Sequence, residues 1–398
     1  MAGAALATAQ SYTVLHNFRG HEDGGVPYAG LTMDRAGHLF GTASQGGNGL
    51  GCQGGCGAVF ELVRRNSAWL FIPLYAFNGN SDGAIPFSRV TIGPNGTLYG
   101  TTAYGGSSIG ITGNGVVFNL QPPPHFSGNI FGGWNETVIH QFGQPPDGAQ
   151  PYGEVAFDAQ GNLYATTLGG GIVCASGYYC GIVFELTPQN DLWSESTLYT
   201  FTQQFLSIPR AGVVFDATGN LYSTLSNGNG AVFRLSNSGG AWTYTTLYQF
   251  MDSPDGSGAA SGLIFDPSGN LFGTTVYGGA NRQGTVYELM PVAGGWTESI
   301  LYSLGGDGGS QPMAGVTRDP AGNLYGTTCH GGSHGGGAVF KLTPSGGGQW
   351  TETTLHNFGG SDGGCPHGDL LIDAGGNIYG TTSEGGPYGL GVIFEITP

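Results

Sequence analysis

The chain has almost no lysine. Lys341 stands alone beside nine arginines, and charged residues fill only 9% of the 398 positions. Acids outnumber bases 26 to 10, giving a formal net charge of −16. A surface so poor in cations repels nucleic acid phosphates and anionic lipid, so neither is expected as a partner. Long hydrophobic runs are missing too. With no stretch of 18 or more apolar residues, no segment is expected to insert in a membrane as a helix. The chain also lacks a P-loop, a G-x-S-x-G elbow, an H-E-x-x-H pair and an EF-hand loop, and its Gly-Gly pairs follow strand patterns without opening helices.

Glycine is abundant, at 79 residues, and aromatics reach 12%. Both fall into a repeat. The stretch Gly322–Thr328 (GNLYGTT) recurs at 161–167, 269–275 and 376–382, with looser copies at 37–43, 96–102 and 219–225. Its apolar anchors are Leu39, Leu98, Leu163, Leu221, Leu271, Leu324 and Ile378, spaced 50 to 65 residues apart. A period of that size marks a propeller or solenoid. Each repeat reads as four strands. The third is a G-φ-V-F-E-L segment such as 57–62 or 337–342, and the fourth opens on Trp69, Trp134, Trp193, Trp242, Trp296 or Trp350. These tryptophans are expected to be core packing between repeats.

The seventh repeat ends without a fourth strand. That strand is found at the other end, where TVLHNF (13–18) matches TTLHNF (353–358). The N-terminal strand is therefore expected to complete the last blade and remove the exposed edge. The fold expected is all-β: a seven-bladed β-propeller of four-stranded blades over residues 11–398, with blades beginning near 28, 87, 152, 210, 261, 313 and 368. Residues 1–10, ending in small residues, are expected to be a trimmed signal or linker remnant.

The pattern P-x-x-G-φ-φ-x-D-x-x-G-N-L-Y resembles NHL-type propeller repeats. With LYGTT, Gly-Gly, G-x-VFEL and W-x-E-x-x-LYxF added, the chain resembles more closely the secreted choice-of-anchor "GloVer" tandem-repeat family. That resemblance implies an extracellular propeller and brings no catalytic motif with it. Blade 4 departs from the pattern, lacking the Asp-Gly of its neighbours and carrying a shortened loop at 226–229.

Propellers usually bind ligands on the face carrying the second-to-third and fourth-to-first loops. The Asp-Gly set (Asp23, Asp82, Asp147, Asp255, Asp307, Asp362) lies there. A ring of carboxylates could hold Ca, but a feature repeated in every blade more often builds the blade, here as a turn carboxylate. All six cysteines fall on this face. Local pairing suggests disulfides Cys52–Cys56, Cys174–Cys180 and Cys329–Cys365 in an oxidising compartment, secreted, periplasmic or cell-surface, although six cysteines allow 15 connectivities.

His16, His140 and His356 occupy the Tyr position of LYxF and are expected to pack. His330, His334 and His367 have no counterparts in other blades, and a Cys329–Cys365 bridge would draw them together beside Asp362, Glu384 and His21. Three imidazoles and a carboxylate suit Zn or Cu; without metal the same residues suit general acid–base catalysis. Histidines on Gly-flanked loops are also commonly just solvated. Tyr104, Tyr277 and Tyr388, with Arg210, Arg282 and Glu384, supply the flat rings and hydrogen-bond groups of a sugar-binding surface. The function expected is binding of an extracellular carbohydrate or other neutral ligand. Alternatives are a polysaccharide lyase or hydrolase, a metal enzyme built on His330, His334 and His367, and a self-associating adhesive unit.

Overall fold

The computed structural model describes residues 10–398, apart from 48, 50, 67, 107–111, 124–132, 173–179, 191 and 203–207. Seven four-stranded antiparallel sheets form the ring. In the first blade the strands are Thr32–Met33, Leu39–Ala43, Ala58–Arg65 and Ala68–Ala76, innermost to outermost. The other blades repeat this order. The last differs only in taking its outer strand, Ser11–Asn17, from the opposite end of the chain, where Val14 faces Phe394 in the ladder. The ring thus closes as the repeat offset requires, with no blade left an open edge by the missing strand.

The recurrent motif has a physical reading at each position. Its Leu or Ile is buried in every blade, and the third-strand aromatic (Phe60 in blade 1, Tyr287 in blade 5) has no exposure at all. The motif glycine lets that ring lie flat on the second strand: a Cβ at Gly41 would come within 2.5 Å of the Phe60 ring. The first threonine stitches each blade to the next. Thr42 donates to the Ser88 carbonyl at 2.8 Å, Thr166 to Ala211 at 2.8 Å, Thr274 to Ala314 at 2.7 Å, and Thr381 to Ala29 at 2.8 Å across the closure. Thr327 is the exception, its Oγ1 buried without a partner. The second threonine turns back onto the loop it precedes, as Thr102 does on the Tyr104 carbonyl at 3.0 Å.

Bridges such as Gly25 with Gln45, Ala84 with Tyr104 and Gly364 with Glu384 join the Asp-Gly segments to the second-to-third loops on one face. The Asp-x-x-Gly-Asn turns lie on the other. Asp158 shows their construction, accepting the backbone N–H of Gln160 and Asn162 and the Tyr164 hydroxyl.

Candidate functional site: an axial cleft

The segment that opens each blade runs from Pro (Ala259 in blade 5) through four residues into the inner strand. Equivalent positions of this segment from all seven blades surround one cleft of about 400 Å³, which places it on the ring axis. Two positions of the segment set its chemistry.

The residue after the proline forms the mouth. Here five neighbouring blades carry His367, Tyr28, Phe87, Tyr152 and Arg210, while blades 5 and 6 carry Ala260 and Met313. The first five make a continuous arc. Tyr28 meets His367 edge to face at 4.7 Å and Phe87 edge to face at 5.1 Å; Phe87 stacks on Tyr152 at 4.5 Å; the Arg210 guanidinium lies 5.9 Å from the Tyr152 ring centre. Tyr104 lies beside Tyr152, and burial, foremost, holds the Tyr152 phenol well above its ordinary pKa.

Two residues deeper, four blades have glycine (Gly30, Gly212, Gly262, Gly315) and three have a charge: Arg89, Glu154 and Asp369. The glycines leave room for the charged side chains. A Cβ at Gly212 would approach Glu154 Cγ to 2.6 Å, and one at Gly315 would crowd Asp369 Oδ1 at 3.2 Å. Arg89 grips Glu154 with two donors, Nε to Oε2 and Nη2 to Oε1, the latter at 2.9 Å. The Glu154 charge raises the guanidinium pKa against the opposing effect of burial. Asp369 accepts the Gly315 backbone N–H on Oδ1 at 2.6 Å. Burial pushes its carboxyl up, the Glu154 charge adds to this, and Arg89 works the other way. Aromatic rings therefore frame a polar floor that holds two carboxyls and one guanidinium.

The residues singled out from the sequence distribute unevenly. Arg210 and His367 join the arc, and Tyr104 supports it from behind. His367 Nδ1 lies 3.0 Å from the Cys365 carbonyl and 3.1 Å from Ser383 Oγ, and burial, above all, holds its imidazole below the usual pKa. His330 and Glu384 are close enough to influence that titration. His334 stands apart, in a separate open pocket with His356 and Asp362. Asp362 is engaged with His356 at 2.8 Å and the Gly359 N–H at 2.8 Å. Tyr277 and Tyr388 are exposed, the latter beside Arg19, and Arg282 sits in its loop with a left-handed backbone.

Four ligands for Zn, Cu or Ca are not brought together by His330, His334, His367 and Asp362. Among the described residues, three such ligand atoms come within 4.8 Å of one another only at Cys329, His330 and Cys365. Both of those sulfurs are bonded to each other. Cys52 is bonded to Cys56; Cys180 is also disulfide-bonded, while Cys174 lies outside the described residues, as do Tyr178, Tyr179 and His125.

The Asp-Gly carboxylates lie against the outer strands, away from the axis. Asp82 accepts the Tyr75 hydroxyl at 3.0 Å, Asp255 that of Tyr248 at 2.8 Å, and Asp23 faces His16 Nε2 at 3.2 Å. The sequence treated these aspartates and the Tyr/His of LYxF as two separate features. They are one device, a ring group tied to the turn that follows it.

Arg89, Glu154, Asp369, Tyr28, Phe87 and Tyr152 were not singled out from the sequence. The signal existed: at one register position of a repeat, three blades replace glycine with charge, and only side-by-side alignment of the opening segments exposes it.

The family model for the Gloeobacter/Verrucomicrobia repeat matches residues 5–229 and 223–398. The chain belongs to this repeat family. No curated protein sequence matches it. Among solved structures, it resembles a "putative 6-phosphogluconolactonase" from Bacteroides fragilis at 16% identity and TM-score 0.52, over 82% of each chain. It also resembles the extracellular domain of a one-component system from B. thetaiotaomicron at 11% identity and TM-score 0.53, over 96% of this chain and 40% of that one. A Lactobacillus plantarum protein is similar at 13% identity and TM-score 0.54, covering 82% and 83%. At such identities the likeness is one of fold.

Proposed function

We propose that this repeat-family propeller is a secreted or cell-surface protein that binds a small carbohydrate in its axial cleft. The observation that carries the reading is the arc of packed rings over a floor of hydrogen-bonding charges, in a cleft of about 400 Å³. Sugars present flat C–H faces to aromatic rings and hydroxyls to carboxylates and guanidinium, and both kinds of group converge here. The disulfides, Cys52–Cys56 and Cys329–Cys365 among them, support an oxidising compartment, and no helix among the described residues is long and apolar enough to cross a membrane. Nucleic acid does not suit a chain with a formal charge of −16.

The test is calorimetric titration with common mono- and disaccharides, beside Phe87→Ala and Tyr152→Ala variants. Binding to the native protein, weakened at least about tenfold by either substitution, is the expected result. Saccharides that bind equally well to both variants, or none that bind at all, would overturn it. A second reading rests on His367, a neutral imidazole at the mouth of the same cleft. It is hydrolysis of a sugar lactone, the activity named for the Bacteroides fragilis protein, and a lactone assay on native protein and His367→Gln decides it.

A further inference from the structure

The floor of the axial cleft is unbalanced in charge. It contains two carboxyls, Glu154 and Asp369, and a single guanidinium, Arg89. Arg89 directs two of its donors at Glu154, one to each oxygen, so that pair is geometrically complete. Asp369 is left with the Gly315 N–H on Oδ1. A carboxylate offers about four acceptor sites, so most of its capacity faces the cleft. Arg210 does not supply the missing charge, since it is exposed and lies at the rim over Tyr152. His367 is held below its ordinary pKa by burial and is neutral at pH 7.

A half-buried acid that shares one guanidinium with Glu154, under a frame of aromatic rings, is complementary to a positive group in the ligand. An ammonium has three donors for the free acceptor sites of Asp369, and π-electron density is itself attractive to organic cations. The unfavourable burial of the Asp369 charge, which raises its pKa, is relieved when a cation arrives beside it. A neutral sugar gains the ring contacts and hydroxyl bonds but leaves that burial uncompensated.

We propose that the axial cleft selects ammonium-bearing ligands of amino-sugar type and that Asp369 is the residue that reads the ammonium. This rests on the sugar-binding reading above and narrows it to a class. Gly262 and Gly315 serve the same end, because a Cβ at either would lie against the Asp369 carboxyl.

The experiment is titration of the full chain at pH 7 with glucosamine, glucose, N-acetylglucosamine and ethylammonium, for native protein and Asp369→Asn. Asn keeps an oxygen to accept the Gly315 N–H. The expected result is that glucosamine binds at least about tenfold more tightly than glucose or N-acetylglucosamine, and that Asp369→Asn erases this preference. A second measurement needs no variant. Above the pKa of the glucosamine amine the preference must vanish, with glucose as the control for any change in the protein. Neutral sugars binding as well as glucosamine would overturn the inference and leave the sugar reading standing. Binding of ethylammonium that depends on Asp369, with no sugar bound, would overturn the sugar reading and the amino-sugar class with it. No binding of any probe would overturn both.

Discussion

Tyr12 stacks flat on His356, ring centres 3.7 Å apart and planes 5° from parallel, and its hydroxyl donates to the Asp362 carbonyl at 2.6 Å. The pair joins the strand that closes the ring to the outer strand of blade 6. Replacing Tyr12 with Ala removes a largely buried ring and a hydrogen bond, so unfolding should become easier by about 2–4 kcal/mol. A urea midpoint unchanged from native would show that closure does not depend on this contact.

The same seam position is acidic elsewhere. Glu136 of blade 2 lies near Asp82 of blade 1, and Glu298 of blade 5 near Asp255 of blade 4; burial, then the neighbouring aspartate, pushes each glutamate up to about 7. Oε1 of each is buried without a partner. A glutamate in the unfolded chain titrates near 4.5, so between about 4.5 and 7 the folded state binds more protons. Stability from these groups is present below the lower value and is lost as pH rises through the upper one. Thermal midpoints should fall between pH 5 and pH 8, and Glu136→Gln/Glu298→Gln should flatten that fall. An equal pH dependence in the double variant would remove these glutamates as its cause.

The threonine stitches make a paired prediction. Thr381→Val deletes a buried hydrogen bond to the Ala29 carbonyl and should destabilise by about 1–2 kcal/mol. Thr327→Val deletes a hydroxyl that has no partner and should be neutral or mildly stabilising. Chemical denaturation of the two variants side by side decides the matter, and similar losses in both would contradict the geometry.

Arg89 and Glu154 should behave as a unit. Arg89→Met leaves a carboxylate in the cleft without its partner, and a loss of about 1–3 kcal/mol is expected. Arg89→Met/Glu154→Leu should recover most of it. A double-mutant cycle with no coupling energy would mean the two residues act independently.

The architecture was legible because a repeat states its packing seven times: Leu39, Gly41, Thr42 and Phe60 belong to one blade, yet each has counterparts around the ring. The closing strand was legible for the same reason, since residues 13–18 match 353–358. The cleft was harder to see. Residue type alone drew attention to His330, His334 and His367, but the disulfide between Cys329 and Cys365 does not gather them, because His334 falls on the outer side with His356. Arg89, Glu154 and Asp369 lie in different blades, and nothing local marks them as neighbours. They meet only because all seven opening segments point to one axis.

Ring closure also imposes an order on assembly. The segment Ser11–Asn17 leaves the ribosome before any blade exists, yet its ladder partner Val392–Thr397 follows only after all the other blades. Blades 1 to 6 can form as they are made, each from a contiguous stretch, while the opening strand waits for the strands of blade 7. Until it docks, blade 7 presents a bare edge and blade 6 an uncovered His356. The last contact to form is thus the one that commits the entire circle, and a chain held taut at its front end cannot finish folding until that end is let go.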